Sequence, residues 1–182
     1  GAGNFNARRS AKNFELESLR ETVAFCHLHG TAVHLTVNTL VFDRELPSAM
    51  ETVRAACEAG VDALIVQDLG LARFIRQAAP DMPIHASTQM SLHNLSGVQL
   101  LEPFGYTRAV LAREMNAEEI AQVCRGTTME IETFVHGALC MCLSGQCYLS
   151  AVAGERSGNR GLCAQPCRLP FYEKNPQRCG LS

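Results

Sequence analysis

An α/β fold, part of a parallel (β/α) TIM-like barrel with a cysteine-rich C-terminal segment, is what this sequence predicts, and three observations carry the prediction. Short β-branched runs alternate with amphipathic stretches at intervals of about 20–30 residues, the rhythm of βα units around a parallel sheet. No Gly-x-Gly-x-x-Gly turn follows any of these runs, which counts against an open dinucleotide-binding sheet. Five strands are visible and a sixth is implied ahead of Gly1, whereas a complete barrel takes about 250 residues. The chain is therefore expected to be an internal piece of a longer protein, an expectation strengthened by a first residue that is not Met.

Each element has its own local reason. Asn13 is placed to cap a helix whose apolar face is Leu16, Leu19, Val23 and Cys26, ending near Gly30. The run from Val33 to Asn38 reads as a buried strand. A second helix puts Leu46, Met50, Val53 and Cys57 on one face and stops at Gly60. The strand Ala63–Gln67 follows, then a helix over Leu71–Ala79 halted by Pro80. Pro83–Ser87 makes a third strand, Asn94–Phe104 a helix closed by Gly105, and Arg108–Ala112 a fourth strand. Asn116, with Glu119 three residues on, is a capping box opening the next helix through Ile120 and Val123. Glu130–Val135 is the fifth strand, and it runs straight into a cluster of cysteines.

Composition bounds the function. Of 182 residues, 47% are hydrophobic and 19% charged, with a net charge of −2, which argues against a protein coating nucleic acid over its whole surface. Residues 154–182 carry Arg156, Arg160, Arg168, Lys174 and Arg178 against Glu155 and Glu173. That basic tail fits RNA or another anionic partner, and a solvated surface explains it as well. No apolar run is long enough to cross a bilayer and no secretory signal opens the chain, so no membrane partner and a cytoplasmic location are expected. Two segments are expected, a partial barrel over 1–136 and a metal- or cluster-binding segment over 137–182.

Six of the nine cysteines fall after residue 139: Cys140, Cys142, Cys147, Cys163, Cys167 and Cys179. The other three, Cys26, Cys57 and Cys124, lie on or beside apolar helix faces and read as small buried hydrophobes. Structural zinc wants pairs about two to four residues apart, which Cys163 and Cys167 provide but Cys140 and Cys147 do not. Disulfides need an oxidising compartment. A thiol nucleophile could use His136, yet would leave the other thiols unexplained. An iron–sulfur cluster tolerates irregular spacing, and spacing alone favours it over zinc, disulfides and a nucleophile.

In a barrel, function gathers at the C-terminal ends of the strands, which here carry Asn38, Gln67, Asp68, Ser87, Gln89, Arg113, Glu114 and His136. As a set they read as the lining of a substrate pocket, although strand-end loops are polar in any case. Thr88 belongs to the same turn. His85, inside a strand, reads as a packed core histidine, and His27, His29 and His93 as ordinary surface residues. No His-Glu-x-x-His zinc site and no Gly-x-Ser-x-Gly elbow is present, and Ser144, flanked by thiols, reads as part of a turn.

Long stretches of the chain resemble a known family. The segment Glu132-Thr-Phe-Val-His-Gly-Ala-Leu-Cys140-Met-Cys-Leu-Ser-Gly-Gln-Cys147-Tyr-Leu-Ser150 is similar to the signature of the collagenase-like peptidases of family U32, and Asn159-Arg-Gly-Leu-Cys163-Ala-Gln-Pro-Cys167-Arg168 to the block that follows it. Asn6-Ala-Arg-Arg, Asn38-Thr, Val66-Gln-Asp68, His85-Ala-Ser-Thr-Gln89 and Leu111-Ala-Arg-Glu114 fit as well, with the nearest likeness to the branch that hydroxylates a ribosomal-RNA cytidine. The resemblance implies a [4Fe–4S] cluster on Cys140, Cys147, Cys163 and Cys167, with zinc as the alternative occupant. Cys142 and Cys179 fall outside the shared pattern, and Cys179 is a possible substitute for Cys167. It also implies hydroxylation of a base in ribosomal RNA, beside a pocket lined by Gln89, Arg113, Glu114 and His136. By analogy with related hydroxylation systems, a small dicarboxylate such as prephenate is a further expected partner. The alternatives are a collagenase-like peptidase without assigned catalytic residues, and a non-catalytic scaffold binding a partner through its cysteine-rich lobe.

Overall fold

The computed structural model describes residue 1 and residues 4–9, 13–137 and 139–171. Five strands, β1 (His34–Val37), β2 (Ala63–Val66), β3 (Ile84–Ala86), β4 (Tyr106–Val110) and β5 (Glu130–Glu132), form one sheet in sequential order, every neighbouring pair parallel. The helices α1 (Leu16–Leu28), α2 (Leu46–Ala59), α3 (Leu69–Ala78), α4 (Leu95–Leu101) and α5 (Ala117–Gly126) alternate with the strands, and a short α6 (Leu149–Gly154) follows in the cysteine-rich lobe. The sequential order is that of a (β/α) barrel wall, and among the described residues β1 and β5 are its two edges, so the sheet they form is not closed into a ring.

Alternation along each strand sorts the side chains. Leu35, Val37, Leu64, Val66, Ile84, Ala86, Tyr106 and Ala109 point to the helix-covered face. There they pack against Leu19, Val23, Val53, Leu71, Ile75, Val98 and Val123 in a single apolar core. Burying each large aliphatic side chain contributes about 1.5–3 kcal/mol, which is what fixes register and helix orientation together. The opposite face carries Thr36, Ile65, His85, Arg108 and Glu130, aligned in one row across all five strands.

A bulge keeps that row straight. Between Ile84 and His85 the register with β4 shifts, so that Ile84 faces Tyr106 while His85 faces Arg108. Thr107 is the extra residue, and its hydroxyl donates to the Ile84 carbonyl at 3.4 Å. Tyr106 thereby stays in the core while Arg108 turns to the other face.

Helix ends follow the expected chemistry in most places. Gly60 closes α2 with φ +81°, and Asn116 with Glu119 forms a complete capping box on α5. The expected cap of α1 is corrected: Glu15 occupies the N-cap, while the Asn13 amide donates to the Arg8 and Arg9 carbonyls and ties down the preceding loop. β4 begins two residues earlier than expected because of the bulge. β5 stops at Glu132, since beyond the bond from Leu111 N–H to the Glu132 carbonyl β4 has left the ladder. Cys57 packs on the core, Cys26 is half-buried, and Cys124 is exposed, correcting its expected burial. Among the described residues no helix is long and apolar enough to cross a membrane.

Candidate functional site

The C-terminal strand ends form a rim of polar side chains that bond to the backbone of the adjoining loops and, in places, to one another. Asn38 accepts the Ala7 N–H at 2.9 Å and donates to the Ser87 hydroxyl at 3.0 Å, reaching over β2 from β1 to β3. Ser87 is buried and also accepts the Gln89 N–H. Gln67 is buried and donates to the Gln89 carbonyl at 3.2 Å, while its own Oε1 has no partner among the described residues. Thr88 donates to the Leu111 carbonyl. Asp68 caps α3 through Leu71 N–H at 2.9 Å and receives Val41 N–H at 3.2 Å, so its carboxylate holds two loops in place. His136 is exposed and stands apart from this network.

Arg113 and Glu114 meet Ser144, which the sequence pattern marks only as part of a turn. Ser144 is fully buried, and its hydroxyl accepts from Arg113 Nε at 3.0 Å and donates to Glu114 Oε1 at 3.2 Å. Its N–H donates to the same carboxylate at 3.0 Å, and His93 Nε2 lies 3.2 Å from Glu114 Oε2. Ser91 donates to the Ser144 carbonyl and Gln146 to the Ser91 hydroxyl. His93 is thus part of the rim, correcting its reading as an ordinary surface residue. Only a contact across 30 or more positions reveals this knot, which is why no local pattern signals it.

The knot clamps the cysteine-rich lobe to the barrel rim, and two glycines allow the approach. Gly145, at φ +73°, passes so close to the Gln89 carbonyl that no Cβ fits, and Gly161, at φ +77°, does the same against the Asn6 carbonyl. Arg160 adds a two-pronged bridge to Glu45 at 2.6 and 3.1 Å and donates to the Leu40 carbonyl. Hydrogen bonding from Arg160 is the main reason the Glu45 carboxyl is held below its ordinary range.

Within the lobe the thiols fall into two groups. Cys140, Cys142 and Cys147 are neighbours, and partial desolvation, then Cys147, push the Cys142 thiol up. Cys163 accepts the Gln165 N–H at 3.4 Å and the Ser150 hydroxyl at 3.8 Å. Arg168, next to Cys167, donates to the Leu139 carbonyl at 2.9 Å, which draws the second group toward Cys140. All described cysteines are free thiols, and among the described residues no three His, Cys, Asp or Glu side chains converge closely enough to hold a metal ion. Cys179 lies outside the described residues, as do Lys174 and Arg178.

Behind the rim, on the helix-free face, His85 is buried, stacks edge-on against His34 with centroids 4.8 Å apart, and has an Nδ1 without a partner among the described residues. Burial, then the Arg108 charge, lowers its pKa to about 4, so it is neutral at pH 7. Arg108 in turn is held by Glu130 at 2.6 Å and Glu132 at 3.3 Å. His85 is buried as expected, but it faces a charged row and not the apolar core.

A parallel (β/α) wall with a thiol-rich lobe clamped over its strand ends defines a class of barrel proteins whose working face is the rim. Within that class the chain belongs to peptidase family U32, whose model matches residues 1–178. It is 41% identical over 97% of its length to the 23S rRNA 5-hydroxycytidine synthase of Escherichia coli, of which it covers 26%. It is 36% identical to tRNA hydroxylation protein P of Escherichia coli (94% of this chain, 38% of the relative). Against a collagenase of Porphyromonas gingivalis the identity is 34% (92% of this chain, 42% of the relative). The chain therefore spans between a quarter and a half of the length of these curated relatives. The solved structure of the U32 peptidase Mk0906 superposes with a TM-score of 0.58 at 15% identity, covering 72% of this chain and 57% of that one. The copper homeostasis protein CutC of Streptococcus agalactiae superposes at 0.53 with 16% identity, covering 76% and 74%; both likenesses concern the fold alone.

Proposed function

We propose that the chain is the rim-bearing part of an iron–sulfur protein that supports hydroxylation of a base in RNA. The observation that carries this reading is the 41% identity, over nearly the whole chain, to a relative named for making 5-hydroxycytidine in ribosomal RNA, joined by several named for transfer-RNA hydroxylation. Both kinds of RNA work in the cytoplasm, which is where we assign the protein. Ribosomal RNA is the preferred substrate, and a small dicarboxylate such as prephenate, by analogy, is the proposed second partner.

Cys140, Cys147, Cys163 and Cys167 are the proposed ligands of a [4Fe–4S] cluster, with zinc as the alternative. The donor chemistry suits iron: free thiols, with a backbone N–H and a hydroxyl already directed at the Cys163 sulfur. Convergence of the two thiol groups is what metal binding would add, as in small metal-stabilised lobes generally. Bound there, a cluster would supply redox or Lewis-acid chemistry next to the rim. The chain's own contribution is to hold the lobe over the strand ends and to offer Gln67 Oε1 as a buried acceptor without a partner among the described residues.

The peptidase reading is favoured by the relative named collagenase. Against it stands the geometry of Ser144, whose hydroxyl donates to a carboxylate and not to a histidine base, and which is buried. Nucleoside mass spectrometry of ribosomal RNA from cells lacking the gene tests the proposal: loss of one hydroxylated base is expected, and an unchanged profile overturns it. Anaerobically purified protein is expected to carry about four irons per chain; stoichiometric zinc in their place would overturn the cluster assignment.

A further inference from the structure

Beside the lobe, and apart from its thiols, a cleft of about 210 Å³ opens at the end of β1. Arg9 from the N-terminal loop, Arg44 from the turn before α2, and Arg160 from the lobe line it, together with Asn4, Thr39 and Ser48. Three segments distant in sequence thus converge guanidiniums on one space. Among the described residues Glu45 is the only carboxylate on the cleft wall and is already taken up by Arg160, so that lining carries two positive charges in excess.

The arrangement holds like charges close together. Arg44 and Arg160 both sit over the Phe42 ring, 4.6 and 4.3 Å from its centroid. Cation–π attraction favours each guanidinium there, yet two cations on one ring repel each other. Among the described residues neither Arg9 nor Arg44 forms an ion pair, although the Arg44 charge also acts on the Glu45 carboxylate that Arg160 holds. An anion between them would relieve the repulsion, and planar guanidiniums flanked by two hydroxyls and a side-chain amide are the donor set that phosphate oxygens accept from.

We infer that the Arg9–Arg44–Arg160 cleft binds a phosphodiester of single-stranded RNA, fixing the strand's backbone while the target base reaches the rim. The assignment rests on the RNA reading above and adds a location to it. Thr39 directly follows Asn38, so the cleft and the polar strand ends share one rim. A backbone phosphate also suits a cleft that is open to solvent and lined by exposed arginines at positions 9 and 44.

The test uses the complete protein with its native metal content and a fluorophore-labelled single-stranded RNA oligonucleotide, read by anisotropy over a range of potassium chloride concentrations. Each phosphate contact on a single strand contributes about 0.7 to the slope of log affinity against log salt. The double variant R9Q/R44Q should lose about 0.7 of that slope and bind the oligonucleotide more weakly at low salt. Its fold should be intact, since neither side chain holds a described hydrogen bond within the protein. R54Q, on the exposed side of α2 and paired with Glu58, should leave the slope unchanged. RNA binding by R9Q/R44Q with an undiminished slope would overturn the cleft assignment while leaving the RNA reading in place. Failure of the unmodified protein to bind the oligonucleotide would overturn both, and it is told apart because it precedes any substitution.

Discussion

The barrel wall and the cysteine-rich lobe are built on opposite principles. The wall buries two dozen apolar side chains in one core between sheet and helices. In the lobe, from residue 139 to 171, the buried side chains are two serines, Ser144 and Ser150, while Leu139, Met141, Leu143, Tyr148 and Val152 are all exposed. The wall is held by removing carbon from water, the lobe by hydrogen bonds and ion pairs: Ser144 with Glu114 and Arg113 and Arg160 with Glu45 tie it to the rim, and Arg168 with the Leu139 carbonyl ties it to itself. A segment with so little buried apolar surface has scant means of holding itself together. Its order must be borrowed, from the rim on one side and, on the reading proposed here, from a metal centre on the other.

The sharpest way to break the comparison is to damage the wall alone. Leu64 is fully buried in the middle of β2, and Leu64→Ala removes a large side chain from a site with packed neighbours on every side. A loss of about 2–5 kcal/mol in global stability is expected by urea unfolding, with wall and lobe melting together. Survival of the wall with less than about 1 kcal/mol lost would mean that the core is not the chief source of its stability.

Somewhat smaller is the effect of acid on the helix-free face. His85 has its pKa lowered from 6.5 to about 4 in the folded protein. As pH falls below 6.5 the unfolded chain takes up a proton that the folded protein refuses until about pH 4, so this contribution to stability is complete above 6.5 and is lost on the way down to 4. Each pKa unit corresponds to about 1.4 kcal/mol, an upper bound because solvent screens the row beside Arg108. Stability of the wild type should therefore decline between pH 6.5 and pH 4.5 more steeply than that of His85→Gln. Parallel curves in that window would show that His85 titrates normally.

The same contrast explains what the sequence made legible. Wall elements announce themselves locally: a capping box at Asn116 and Glu119, a glycine stop at Gly60, and apolar periodicity through Leu19 and Val23. The fold class and the strand order follow from that rhythm. What escaped is non-local or sub-periodic. Cys124 adjoins the buried Val123, but one step along a helix turns a side chain by about 100°, which carries it out to solvent. The bulge at Thr107 depends on β3 opposite, and the Ser144 knot on residues 30 and more positions away. The strand-end residues could be nominated from topology; which of them bond to one another, and which hold the lobe, could not.

Ser144→Ala tests how the lobe borrows its order. The substitution deletes the hydroxyl that accepts from Arg113 Nε and donates to Glu114, and leaves both charged groups short of a partner at a fully buried point. A cost of about 1–3 kcal/mol follows, but it should fall on the docking of the lobe and not on the wall, whose core contains none of these groups. In hydrogen exchange, amides between residues 139 and 168 should lose protection while those of β2 and β3 keep theirs, the reverse of the concerted opening expected for Leu64→Ala. Because the Ser144 N–H still reaches Glu114, the lobe should loosen and not detach. Gly145→Ala, which drives a methyl group into the Gln89 carbonyl from a left-handed backbone, should detach it further. If protection across the lobe stays unchanged in both variants, the rim does not hold it, and its order must come from its own thiols or from chain beyond them.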